Sequence, residues 1–240
     1  MNEETKMKHT LLMLALLSAF TAQNAQAEAG DIVVRLRATN INPNESSKLG
    51  ETTDQAYGGV PFSSAALYGS STANLKVDSN TIPELDISYY VTKNIALELI
   101  LALGSKHKVS IDTAGAVNQD LGKINALPPT LTAQWHFLPD QLFDPYLGAG
   151  VSYVRMMDNG LTANAPGIGS FPIRVDRSNW GGALQAGLDV NLKDGWMLNF
   201  DVKKIWVDTD VKLNLGTGYK KIDSLDINPL VVSLGVGYRF

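Results

Sequence analysis

The residue types that usually carry catalysis are scarce. Beyond residue 27 the chain holds two histidines, His107 and His136, and the whole sequence contains no cysteine. Hydrolysis or acyl transfer needs a base held against a nucleophile, yet His107 sits between Lys106 and Lys108 and neither histidine has a convincing nucleophile beside it. No H-x-x-x-H spacing offers a two-histidine metal site, and the lack of thiols removes disulfide frameworks, zinc knuckles and iron–sulfur clusters. No catalytic residue, metal or cofactor is expected, so the chain does not read as an enzyme. What the sequence does offer is charge pairing: Arg35, Arg37, Asp86, Glu98, Asp189, Asp201, Lys203 and Arg239 are interspersed in apolar runs. With 20 Lys and Arg against 24 Asp and Glu, a net charge of −4 leaves no basic footprint for nucleic acid.

Those runs have a two-residue period. Val34, Leu36 and Ala38 alternate with Arg35, Arg37 and Thr39; Leu85, Ile87 and Tyr89 alternate with Glu84, Asp86 and Ser88; Leu97, Leu99 and Leu101 alternate with Glu98, Ile100 and Ala102. The same pattern surrounds Leu131 to Phe137, Leu147 to Tyr153, Trp180 to Asn191, Trp196 to Trp206 and Leu230 to Phe240, which makes eight strands. Their connections alternate in length: residues 40–74, 105–127, 157–178 and 208–224 form long loops, while Thr92-Lys93-Asn94, residues 138–144 and Lys193-Asp194-Gly195 make tight turns. An even strand number with long loops at one end predicts an all-β, eight-stranded antiparallel up-and-down transmembrane β-barrel in the outer membrane, both termini periplasmic. A lipocalin-like soluble barrel is the alternative, and it would point apolar residues inward. Trp135, Trp180, Trp196 and Trp206 lie near strand ends, as an interfacial aromatic belt requires.

Export is legible at the start of the chain. Lys6 and Lys8 precede an apolar run at residues 11–20, and Ala25-Gln26-Ala27 supplies a small-x-small cleavage pattern. Residues 1–27 read as a signal peptide and residues 28–240 as the barrel domain. Met7-Lys8 makes a more ordinary signal start than the acidic residues 1–5, so both Met1 and Met7 stand as start codons.

Four segments carry a family resemblance over essentially the whole of residues 28–240. They are Val34-Arg35-Leu36-Arg37-Ala38 with Asn42-Pro43, Leu127-Pro128-Pro129-Thr130-Leu131-Thr132-Ala133-Gln134-Trp135, Pro145-Tyr146-Leu147-Gly148-Ala149-Gly150-Val151, and the ending Gly235-Val236-Gly237-Tyr238-Arg239-Phe240. The chain resembles the outer-membrane protein W (OmpW/AlkL-like) family. That resemblance implies a narrow, largely apolar lumen that takes small hydrophobic molecules from outside and releases them through the wall into the membrane. Tyr238 and Phe240 match the terminal signal read by the barrel-assembly machinery. The chain departs from the family pattern at Lys203, where a bulky aromatic would face the lumen; a lysine makes the passage more polar.

Strand direction sets depth. Arg35, Arg37, Asp86, Glu98, Asp189, Asp201 and Arg239 are expected to form an ion-paired polar plug toward the periplasmic end. Ile100, Ala102, Gly148, Gly150 and Lys203 are expected along the solute passage above it. Eight strands leave no wide aqueous pore. Pro83, which lacks a ladder donor, is expected beside a lateral opening, and the first long loop either covers the mouth or is disordered. Expected partners are outer-membrane lipid and lipopolysaccharide, the assembly machinery and small hydrophobic solutes. The rival reading is a non-transporting surface barrel acting as an adhesin or a phage or bacteriocin receptor.

Overall fold

Lipid offers the backbone no hydrogen-bond partners, so strands that cross it must pair along both edges. The computed structural model describes residues 27–58, 61–102, 104–113 and 119–240; all but Ala27 of the expected signal peptide lies outside them. In chain order the elements are β1 (Ile32–Asn42), α1 (Leu49–Tyr57), α2 (Ser64–Tyr68), β2 (Asn74–Val77), β3 (Asn80–Tyr90), β4 (Ile95–Ala102), β5 (Ser105–Asp112), β6 (Gln119–Leu127), β7 (Thr130–His136), β8 (Phe143–Asp158), β9 (Gly160–Ala165), β10 (Gly169–Val175), β11 (Ser178–Asn191), β12 (Trp196–Trp206), β13 (Asp208–Asn214), β14 (Tyr219–Asp226) and β15 (Leu230–Arg239). Eight of them close a barrel in the order β1-β3-β4-β7-β8-β11-β12-β15. Closure is made by β1, which pairs antiparallel with β15 from Val33↔Arg239 to Asn42↔Leu230 and with β3 from Ile32↔Tyr89 to Ile41↔Asn80.

The tight turns hold themselves. Thr92 Oγ1 accepts from the N–H groups of Asn94 (3.3 Å) and Ile95 (3.1 Å), and Asn94 donates to the His136 carbonyl at 2.7 Å. Asp194 and Gly195 take positive φ of 58° and 80°, the left-handed region that Gly and Asp tolerate best.

In the wall the apolar face points out. Leu36 is 58% exposed and Leu234 65%, and all four tryptophans lie on the outer surface. Arg35, Arg37, Asp86, Glu98, Asp189 and Asp201 point in and are buried. That excludes the lipocalin-like arrangement for this part of the barrel.

At the long-loop end the faces invert, and here the expected loops are corrected. Ser105–Asp112 and Gln119–Leu127 pair as β5 and β6, and β9, β10, β13 and β14 form a separate four-stranded sheet. Their alternation is intact with the opposite sense: Val109 and Ile111, Ile173 and Val175, Val211 and Leu213 are buried, while Lys106, Lys108 and Arg174 point to water. Polar residues outward is the ordinary rule for strands that face water.

The first connection covers this apolar interior. Leu49 and Leu67 are fully buried in it, one from each helix. Ser63 caps α2 by accepting from the Ala66 N–H, and Asp54 accepts from the Ser64 N–H (2.6 Å) and hydroxyl (2.8 Å), tying α1 to α2. Tyr57 donates to the Leu213 carbonyl at 2.9 Å. Gly50 lets α1 sit this close, since a Cβ there would lie 2.1 Å from the Ser71 carbonyl oxygen.

Burial pushes the Tyr68 hydroxyl of α2 up to about 12, from 10.0. A group whose folded pKa is raised contributes stability that is complete below its unfolded value and lost as pH rises. The α1–α2 cover is therefore expected to loosen between pH 10 and 12. Proteolysis of residues 49–68 followed against pH should show it, and Tyr68→Phe should abolish the alkaline step.

Candidate functional site

Arg35 and Arg37 are two residues apart on β1, so both project into the lumen. Room for them comes from the opposite strand: Gly237 stands across from Arg35 and Gly235 across from Arg37, and a Cβ on either glycine would lie 2.8 Å from the arginine's Cγ. Arg35 donates to Asp189 (2.6 Å), Ser88 (2.7 Å) and Asp86 (3.2 Å). Arg37 pairs with Glu98 (2.5 Å) and Asp86, and its Nη1 faces Glu84 (3.7 Å) and Asp201 (3.8 Å).

Neutral side chains complete the layer. Thr132 and Gln185 donate to Glu98 at 2.8 and 2.9 Å, Tyr146 donates to Asp201 at 2.9 Å, and Asn199 donates to Asp189 at 2.8 Å. Lys203 Nζ donates to Asp201 at 3.2 Å. Beneath lies His136, 2.7 Å from Asp144, with the Tyr90 hydroxyl 3.3 Å from its ring. Ligand-type atoms of His136, Asp144 and Asp189 fall within 4.8 Å of one another, but hydrogen bonds within the network already engage them. Arg239 is at the rim, its guanidinium 5.2 Å from the Tyr90 ring centroid and its Nε 3.9 Å from Asp31. At the outer periplasmic edge Tyr238 packs between Trp196 and Phe240, with centroids 5.2 and 4.8 Å away.

Above this floor the inward positions turn apolar. Ile100, Ala102, Ile124, Ala126, Val154 and Met156 are among the residues around a chamber of about 770 Å³ of atom-free space, mouth included, of which about 80 Å³ admits the centre of a water-sized sphere. Glu84 and Lys203 also line it, with Ser105 and His107. Asp78's carbonyl can only accept, so His107 Nδ1 donates to it at 2.7 Å, and its Nε2 is hydrogen-bonded to the Ser105 hydroxyl at 2.5 Å. His107 thus belongs to a strand and not to a loop.

Ile100, Ala102 and Lys203 line the chamber, whereas Gly148 and Gly150 do not. A Cβ at Gly148 would meet the Gln185 side chain at 2.8 Å, and one at Gly150 would meet the Leu131 carbonyl at 2.0 Å, so the space expected there is taken. Sequence reading missed Glu84, Gln185, Tyr146 and Asn199 as floor residues, although each shares the inward parity of a charge it touches.

Among the described residues the β3–β4 pairs run up to Glu84↔Ala102, and Pro83 is paired with Ala38 of β1. On the other side of β4 the ladder stops at Ile100↔Thr130 and resumes, among the described residues, at Ser105↔Ala126. Pro128, which lines the chamber, lies between.

A profile of the OmpW family matches residues 28–240. Outer membrane protein W of Escherichia coli is 31% identical over 97% of this chain and 99% of its own length. Outer membrane protein AlkL of Ectopseudomonas oleovorans is 32% identical over 70% of each chain. The crystal structure of the outer membrane protein OprG from Pseudomonas aeruginosa superposes with a TM-score of 0.73 at 28% identity, covering 89% of this chain and 97% of that one.

Removing one partner from a dry ion-paired layer strands the other charge, at a cost of ~3–5 kcal/mol. Asp189→Ala should lower the stability of the lipid-embedded barrel by about that amount, measured by urea unfolding from vesicles. Adding Arg35→Met to the same chain should recover part of the loss, because the arginine that has lost its 2.6 Å partner is then gone.

Proposed function

The chain belongs to the OmpW family of outer-membrane proteins, and we propose that it is a passive channel through which small hydrophobic molecules cross the outer membrane. The observation that carries this reading is the apolar chamber seated on a charged, hydrogen-bonded floor. An apolar solute gains by leaving water for that chamber, while moving down through the floor would require breaking buried ion pairs. The easier way out is sideways, past the upper end of β4, between Pro83 and Pro128, beside the end of the described β4–β7 pairing at Ile100↔Thr130. Entrance from outside displaces the α1–α2 cover. In this reading Ile100 and Ala102 form the passage, Lys203 its lower boundary, and Arg35, Arg37, Asp86, Glu98, Asp189 and Asp201 the plug, with Arg239 at the rim. Tyr238 and Phe240 serve assembly through the barrel-assembly machinery, and lipid and lipopolysaccharide surround the wall.

The sheet β9, β10, β13 and β14, standing clear of lipid, favours the second reading, a surface barrel that meets host molecules, phage or bacteriocins.

Uptake of a labelled medium-chain alkane by intact cells with and without the protein separates the two, with a small charged solute as control. Faster alkane uptake alone is expected, and Ala102→Trp, which fills the chamber, should bring it back to the level of cells lacking the protein. Equal uptake with and without the protein favours the surface reading.

A further inference from the structure

The floor of the chamber has a chemistry of its own, and what it selects rests on the uptake reading above. Five carboxylates, Glu84, Asp86, Glu98, Asp189 and Asp201, meet three cations there, Arg35, Arg37 and Lys203. A dry layer with surplus carboxylate disfavours a further anion and favours hydrogen-bond donors. Glu84 is the acid that faces the chamber. Its side chain is 5% exposed, its Oε1 stands 3.7 Å from Arg37 Nη1, beyond hydrogen-bond distance, and that oxygen has no hydrogen-bond partner. Lys203 lines the same floor with its side chain 1% exposed, and its hydrogen bond to Asp201 at 3.2 Å commits one ammonium proton.

The floor of the chamber therefore carries an acceptor, Glu84, and a donor, Lys203, below an apolar space. A hydroxyl group satisfies both, donating to a carboxylate and accepting from an ammonium. A carboxylate head would face Glu84 and the surplus negative charge, an ammonium head would face Lys203, and an ether can accept but not donate. We propose that the chamber selects medium-chain alcohols, the alkyl tail among Ile100, Val154 and Met156 and the hydroxyl donating to Glu84 Oε1 while accepting from Lys203 Nζ.

The test uses the full chain folded in zwitterionic lipid nanodiscs, with 1-octanol, methyl octyl ether, octanoate and octane as probes. Affinity is read from shifts of the Ile100 methyl and Lys203 side-chain NMR signals. Octanol is expected to bind about tenfold tighter than the ether, as one charge-assisted hydrogen bond allows, with octanoate weakest among the polar-headed probes. In Glu84→Met octanol should fall to the level of the ether. If that variant does not fold, the ranking of the four probes on the natural chain still decides. Octanol and ether binding alike, or octanoate binding tightest, overturns head-group selection and leaves the uptake reading standing as long as octane moves the Ile100 signal. If no probe, octane included, moves chamber signals, the uptake reading falls and this inference with it.

Discussion

Arg37 reaches carboxylates on three other strands: Glu84 and Asp86 on β3, Glu98 on β4 and Asp201 on β12. Arg35 adds Asp189 on β11. Side chains of the strands that close the barrel are thereby tied through its axis as well as around its wall. The side-chain period of a strand is two, so a one-residue slip of β1 would turn Leu36 and Ala38 inward and both arginines into lipid. The same slip would set Cβ-bearing residues where Gly235 and Gly237 now leave room for the arginine stems. Register, closure and the filling of the lower lumen are consequences of one constraint, that these guanidinium groups stay dry and paired.

The constraint explains what lies above it. Ion pairing needs inward polar positions only in the lower wall, and once β12 passes Lys203 its inward residue is Ile205. From there the interior is packed like that of a soluble protein, and the outside becomes polar where lipid ends. The chamber forms at the junction of these regimes. Its floor is polar because the network reaches it, and its walls are apolar because the upper core begins there.

The wall was legible in the sequence because a strand half in lipid and half lining a polar lumen alternates strongly, as Leu97 to Ala102 does. The upper strands escaped because Ser105 to Asp112 alternates in the reverse sense, with Lys106 and Lys108 outward, and reads as a charged loop when judged against a membrane strand. The charged floor residues stood out individually, since an arginine between leucines is conspicuous. Their neutral partners did not: Gln185 and Asn199 are unremarkable until their neighbours across the lumen are known. Gly148 and Gly150 misled for a related reason. A glycine facing a lumen reads as empty space, but whether the space is empty depends on Gln185 of β11 and the Leu131 carbonyl of β7, which no local pattern reveals.

The interruption beside β4 follows the same economy of unmet polar groups. A gap in a ladder exposes backbone donors, and in or near lipid each orphaned donor costs several kcal/mol. Proline has no N–H to orphan. Pro128 and Pro129 occupy the gap between β6 and β7, the Pro128 carbonyl accepts from the Thr130 hydroxyl at 3.2 Å, and the Pro129 carbonyl accepts from the Tyr153 N–H at 2.9 Å. Among the described residues the β4–β7 side is thus unpaired where it has fewest donors to lose, at the height where the chamber lies against it. A rung added there would leave the floor untouched, so pairing in the wall and pairing in the lumen are separable properties of this barrel.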